Sequence, residues 1–451
     1  MSFVKIDGLQ LVRAGKPLHL RGLNTGNWLL VESYMIGLPW TEYKMRALFR
    51  RILGEDAFHA FWDTFLDESL SSADLDFIQS CGFNFLQVPI NYRHFDGDGT
   101  TSGFTDHGTR SLDRLVVECK KRGIYVLLSL HAAPGVQARD WNAESAYGES
   151  YLWEHEYFQA RTCEVLQRIA GRYRNEEMVI GTEILNEPLV WDDDEGFHQF
   201  NMKAIRAVRQ AAPDQIIVVN GNMWGKTIKG LRPEVFEDPQ VMPSAHCYIS
   251  QFPPFGEMTD YPGEWNGKQV GRAEATAVLD TAYDQTRIPR PVLMGEFGIY
   301  ARSKNITAQF AMLDDLTGFF EEKGFHWTFW DYKDIGDMGL VFPNADTPWM
   351  KFLRRPDVDA LHHGYERHTP DLVSALQKEC PELSIRDLDI FANHQARHHW
   401  DAIALPAVLE KLKACSLRDL EAMARSFAFE NCQVHPEKYA ILTKYAKGTD
   451  V

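Results

Sequence analysis

Two glutamates sit where a chain would place groups for chemistry. Glu187 closes the run VIGTEILNEPLV (179–190), which starts like a buried strand and ends in Asn-Glu-Pro, and Glu296 lies in PVLMGEFG (291–298). A charge at the end of an apolar strand is costly unless it is paired or used. Two carboxyls about 5–5.5 Å apart suit double displacement at a glycosidic carbon, whereas about 6.5–9.5 Å leaves room for direct attack by water. Either route needs one carboxyl protonated near neutral pH and the other ionised, so their surroundings must drive the two pKa values apart. The competing role for each is an ion-pair partner.

Such a pair needs a scaffold that brings distant strand ends together. Eight short apolar runs recur along the first 335 residues: LHLRGLN (18–24), FNFLQVPI (83–90), YVLLSLH (125–131), VIGTEILNEP (179–188), IIVVNGN (216–222), VMPSAHCY (241–248), PVLMGEFG (291–298) and GFHWTFWDY (324–332). Helical stretches separate them. SLDRLVVECKKRG (111–123) carries Leu112, Leu115, Val116 and Cys119 at helical spacing before a glycine stop, and LDDLTGFFEEKG (313–324) repeats the pattern. Near-continuous apolar strands alternating with helices predict a parallel sheet covered by helices. Eight of them predict an α/β fold of the (β/α)8 TIM barrel type.

Polar residues collect at the ends of these runs: Asn24, His131, Glu187, Asn220, Asn222, His246, Glu296 and Asp331. In such a barrel the C-terminal strand ends form the catalytic face, so this sorting points to an enzyme. Glu183, four residues before Glu187, is expected to point inward as a paired layer residue.

The chain has 451 residues and a formal net charge of −16. That balance disfavours nucleic acid or an anionic membrane as partner. The N-terminus lacks the apolar core of a secretory signal, no run approaches a membrane span, and seven scattered cysteines contain no Cys-x-x-Cys pair. The expectation is a cytoplasmic protein with reduced thiols. No glycine fingerprint opens a helix, and the pieces HHGYERH (362–368) and NHQARHH (393–399) lack a zinc-site spacing, so neither cofactor nor metal is expected. Residues 1–355 are expected to form the barrel and 356–451 a helical C-terminal extension. There Leu405, Val408, Leu409 and Leu412, then Leu417, Leu420, Ala424 and Phe427, form apolar faces. These faces are expected to pack on the barrel or, as a homo-oligomer, on a second copy.

The motifs GTEILNEPLV, SLHAAPG, SAHCY, LMGEFG and FWDYK, in this order on successive strands, resemble glycoside hydrolase family 5, a clan A family of retaining β-glycosidases. The opening LRGLNTGNWLLVE resembles its exo-acting members, and the resemblance covers about residues 5–350. It implies Glu187 as acid/base and Glu296 as nucleophile. It further implies Asn186 on the sugar 2-hydroxyl, His246 and Tyr248 beside the carboxylates with Tyr248 donating to the nucleophile, and His131 and Asn142 on substrate. Trp330 would be the platform under the reacting ring, and Glu32 would grip the far hydroxyls of a terminal sugar. One position departs: where the family carries a strand-two arginine supporting the nucleophile, this chain has Gln87. Arg93, six residues on, is the expected partial substitute.

Trp28, Trp40, Trp141, Trp191, Trp224 and Trp265 are candidate stacking surfaces for pyranose faces. The reading is therefore an exo-acting enzyme on short β-linked oligosaccharides, a β-mannosidase first and a β-glucosidase or exo-β-glucanase second. Transglycosylation stays open. Readings from other classes are a metal-dependent barrel hydrolase using His131, His246 and an acid, and a non-catalytic sugar-binding barrel motivated by Gln87.

Overall fold

The computed structural model describes residues 2–96, 107–191, 193–249, 252, 254–255, 258–300 and 305–448. Eight parallel strands close into a barrel: β1 (Arg21–Asn24), β2 (Phe85–Asn91), β3 (Tyr125–Ala132), β4 (Val179–Glu183), β5 (Ile216–Asn220), β6 (Val241–Cys247), β7 (Leu293–Phe297) and β8 (His326–Phe329). β8 pairs with β1 through Trp327–Arg21 and Phe329–Leu23, which shuts the ring. Each matches one apolar run of the sequence. Residues are buried along the whole of β2 to β8, as expected of strands covered on one side by helices and on the other by the barrel interior.

The outer layer holds α1 (Ser72–Ser80), α2 (His107–Arg122), α3 (Glu156–Arg172), α4 (Asp194–Ala211), α5 (Arg272–Ala282) and α6 (Ile306–Lys323). A short 3-10 turn, Pro233–Phe236, lies between β5 and β6. Leu112, Leu115, Val116 and Cys119 are all buried, as their spacing requires.

The interior is built in layers. At the N-terminal end a three-stranded sheet (Val4–Asp7, Gln10–Arg13, Lys16–Leu18) plugs the barrel, with Val4, Ile6 and Leu11 packed against Phe85, Ile180 and Val218. Above it lies a polar layer: Glu183 accepts from Ser129 (2.5 Å), Gln87 (3.3 Å) and Asn220 (3.5 Å), while Asn24 and Thr328 donate to the Gly295 carbonyl at 2.8 and 2.6 Å. A Cβ at Gly295 would stand 2.6 Å from Ser244 Oγ, so β7 needs glycine there to pass this layer. The functional site opens above it.

The chain after 355 does not form one body. α7 (Pro436–Ala446) returns to the barrel between α1 and α6: Tyr439 stacks on Phe77, and Tyr445 donates to the Asp314 carbonyl at 3.0 Å. Just before it, Cys432–Val434 pairs antiparallel with Val341–Pro343. The helices Arg397–Glu410 and Leu417–Ala424 instead pack on the long β1–α1 insertion. Leu405, Val408, Leu409, Leu412, Leu420, Ala424 and Phe427 are buried against Phe49, Phe61, Trp62, Phe65 and Trp349. These faces, expected to pack on the barrel or on a second copy, are covered within the chain by the insertion. Leu417 is a correction: at the first position of its helix it lies 47% exposed.

Candidate active site

β4 is shorter than the sequence pattern suggests. Its regular ladder stops at Glu183; beyond it the backbone keeps single hydrogen bonds to both neighbouring strands, from Ile184 N–H to the Val218 carbonyl of β5 and from Asn186 N–H to the Leu130 carbonyl of β3. Glu187 then takes φ +45°, a left-handed backbone that costs free energy for a residue with a side chain and persists only where the surroundings impose it. Likewise Tyr248 and Asn222 lie just beyond the ends of β6 and β5.

These departures bring the expected groups together. Oxygens of Glu187 and Glu296 and a ring nitrogen of His246 lie within 4.8 Å of one another. His246 Nδ1 is 2.7 Å from Glu187 Oε1 and 3.5 Å from Glu296 Oε2. Tyr248 donates to Glu296 Oε2 at 2.8 Å, and Asn142 donates to Glu187 Oε2. His131 Nδ1 stands 3.9 Å from Glu296 Oε1, and its ring stacks on Trp330 with centroids 5.5 Å apart and planes 7° from parallel. Glu296, His131, His246 and Asn186 are all at most 4% exposed.

Burial and the nearby Glu187 carboxylate push the Glu296 carboxyl well above the usual range, while the Tyr248 hydroxyl pulls it down. Burial, then the neighbouring His246, holds His131 well below the usual histidine value, so it is a neutral imidazole. Glu32 is coupled electrostatically to the same cluster: burial and then the nearby Glu187 raise it to about 8, against a hydrogen bond from the Trp141 indole. At neutral pH its carboxyl is protonated and can donate as well as accept.

Several buried polar atoms at this mouth have no protein partner: both His131 ring nitrogens, His246 Nε2, Asn186 Oδ1, Asn142 Oδ1 and Glu296 Oε1. Buried polar atoms are normally bonded, so a cluster of them at strand ends suits a hydroxyl-rich ligand.

Three residues escaped the sequence reading. Tyr34 accepts from the Trp330 indole at 2.6 Å and fixes that ring. Gln137 donates to the carbonyls of His131 and Asn186 at 2.5 and 3.0 Å, tying the β3 and β4 loops together. Tyr283 donates to the His246 carbonyl at 2.9 Å. An amide or phenol bonding main chain from a loop leaves no pattern in sequence.

Other expectations are corrected. Trp28 and Trp40 are core residues, 1% and 6% exposed, whose indoles bond the Leu66 and Ala146 carbonyls. Trp265 belongs to the Gly263–Trp265 and Lys268–Val270 hairpin and packs against the main core. Arg93 is occupied elsewhere, over the Tyr43 and Tyr92 rings at 4.1 and 4.8 Å and beside Glu144. The groups acting most on Glu296 are Glu187, Tyr248, Glu32 and Glu183. Gln87 joins the polar layer through Glu183. Trp191 and Trp224 do stand together, rings 5.9 Å apart and nearly perpendicular, on the loops after β4 and β5.

A closed parallel barrel with two carboxyls paired at its C-terminal mouth has the architecture of a glycoside-cleaving barrel enzyme. Comparison with known proteins agrees. The family model for cellulase (glycosyl hydrolase family 5) matches residues 55–336, and the chain belongs to that family. It is a glycoside hydrolase. A beta-xylosidase from Phanerodontia chrysosporium is 27% identical over 96% of both chains. A glucan 1,3-beta-glucosidase from Lachancea kluyveri is 30% identical over 46% of this chain and 52% of its own. Among solved structures, an endocellulase from Pyrococcus horikoshii with cellotetraose aligns with a TM-score of 0.52 at 15% identity, covering 76% of this chain and 94% of its own. A Saccharophagus degradans beta-glucanase in complex with cellotetraose gives 0.51 at 16% identity, over 74% and 85%. These two share the fold.

Proposed function

We propose that this chain is a retaining, exo-acting β-glycosidase that removes one sugar from the non-reducing end of short β-linked glycosides. The observation carrying this reading is the Glu187–His246–Glu296 cluster, with carboxyl oxygens within 4.8 Å and Tyr248 donating to Glu296. That spacing falls on the side of covalent double displacement and leaves little room for an intervening water.

Glu296 attacks the anomeric carbon while Glu187 gives its proton to the departing oxygen. Water then attacks the glycosyl ester, Glu187 takes the proton from it, and Glu296 leaves as carboxylate. Trp330 and His131 form the face on which the sugar ring lies, Asn186 and Asn142 meet hydroxyls near the acid, and neutral Glu32 takes the far hydroxyls. Trp191 and Trp224 flank the leaving-group side, since their loops follow Glu187 and Asn220. Among the described residues no helix is long and apolar enough to cross a membrane, and the seven cysteines are free thiols, the form a cytoplasmic protein keeps.

For the sugar, β-mannoside is the starting expectation; the names of the relatives bring β-xyloside and β-glucoside to the same rank. Initial rates on aryl β-mannoside, β-xyloside and β-glucoside, with wild type and Glu296→Ala side by side, test the proposal. Turnover of one sugar that disappears in the variant is expected. A wild type inert on all monoglycosides contradicts exo action.

The same cluster is also what a metal-dependent hydrolase would offer, one histidine and two carboxylates converging. Loss of turnover on dialysis against a chelator, restored by a divalent cation, would favour that second reading.

A further inference from the structure

The helix Arg397–Glu410 belongs to the part of the chain beyond the matched family segment, 55–336, yet its first turn touches the site. The Arg397 guanidinium lies over the Trp141 ring, 5.3 Å from its centroid. Trp141 is the residue whose indole bonds Glu32, and its neighbour Asn142 bonds Glu187. Four residues along, Asp401 accepts from the backbone N–H of Trp40, in the loop after β1. Arg397 and Asp401 face each other at 3.8 Å, and Glu366 anchors Arg397 from the other side at 3.0 Å. Arg397 is 17% exposed and Asp401 9%. One helical turn therefore holds two loops, from β1 and β3, that supply Glu32, Trp141 and Asn142.

We propose that Arg397 is a positioning residue for substrate length: by pinning Trp141 against Glu32 it closes the non-reducing end of the pocket, so that one sugar fits and a second does not. This rests on the exo-glycosidase reading and adds the part that enforces it. Trp141 has rotamer freedom that a loop alone does not remove. A cation over one ring face and a carboxyl on the indole N–H fix it from two directions. Without the guanidinium, the indole loses the contact that holds its ring face and gains freedom to swing aside, opening the wall next to the far hydroxyls.

The test uses nitrophenyl β-glycosides of the sugar that the wild type turns over best, as the monosaccharide and as its disaccharide. Full-length wild type, Arg397→Ala and Arg397→Met are compared; the methionine keeps the stem and its packing without charge. The ratio of kcat/KM, disaccharide over monosaccharide, is expected to rise about tenfold in both variants, with intact disaccharide released and KM for the monosaccharide raised more than kcat is lowered. A purely structural role would lower thermal stability and leave the ratio unchanged. An unchanged ratio in either folded variant overturns the proposal. Failure of the exo reading itself looks different: the wild type would then hydrolyse no monosaccharide glycoside.

Discussion

The hydroxyl of Tyr248 donates a 2.8 Å hydrogen bond to Oε2 of Glu296, from a position one residue past the end of β6. It opposes burial and the repulsion of Glu187, both of which favour a protonated Glu296. On the proposed mechanism, with Gln87 standing where the family resemblance implies a strand-two arginine, Glu296 depends more heavily on this phenol.

On that mechanism, Tyr248→Phe lowers the reactivity of Glu296 as nucleophile. A hydrogen bond to a charged group contributes about 1.5–3 kcal/mol, so kcat/KM should fall roughly 10- to 100-fold. The acidic limb of the kcat/KM profile should move to higher pH, because Glu296 then holds its proton longer. Steady-state rates across pH check both.

On the same proposed mechanism, Glu187→Gln removes the acid that protonates the departing oxygen. General acid catalysis is worth about 10²–10⁴-fold, so alkyl glycosides should slow by that amount while a dinitrophenyl glycoside, whose leaving group needs no proton, slows far less in the first step. Added azide should restore turnover of the activated substrate and yield the glycosyl azide. Equal losses on both substrates would remove Glu187 from this role.

Glu32 carries a cost in stability that depends on pH. Its carboxyl titrates near 8 when folded, above the ordinary 4.5, so folding takes up a proton between these values. Stability from this group falls as pH rises through that window, reaching a deficit of up to about 5 kcal/mol above it. Glu32→Gln should raise Tm more at pH 8 than at pH 5, at the expense of substrate affinity. Thermal denaturation at the two pH values reads the difference.

The interface between the β1–α1 insertion and the C-terminal helices is a true core. Leu409→Ala should cost about 2–5 kcal/mol, since Leu409 is fully buried, whereas Leu417→Ala should stay within about 0.5 kcal/mol. Denaturant melts distinguish them.

Arg93→Ala should leave the pH profile of kcat/KM in place and lower stability by about 0.5–2 kcal/mol, the worth of its stacking on Tyr43 and Tyr92. A moved acidic limb would restore it as a substitute for the family's arginine.

The barrel was legible because each strand is buried on both faces and so reads as an apolar run. The strand ends were not: VIGTEILNEP looked like one strand, yet the regular ladder ends at Glu183, Ile184 and Asn186 keep single hydrogen bonds to Val218 of β5 and Leu130 of β3, and the left-handed backbone of Glu187 turns the chain there. Glu183 was readable as a layer residue because inward parity holds up to the last ladder position. Tertiary partners of long side chains were hidden. Arg93 sits near Gln87 in sequence but is captured by two tyrosines, and Arg397 reaches Trp141 across more than half the chain. Apolar periodicity located the C-terminal helices but could not say that the insertion at 31–70 was what they cover.

The decisive measurement is mass spectrometry of the intact and peptide-digested enzyme after incubation with a dinitrophenyl 2-deoxy-2-fluoroglycoside of its preferred sugar. The electron-poor sugar forms the glycosyl ester faster than water removes it. A single fluoroglycosyl mass on the peptide containing Glu296, absent in Glu296→Ala, is the predicted result. Turnover of the parent substrate with no adduct, or with the label on another residue, contradicts Glu296 as nucleophile.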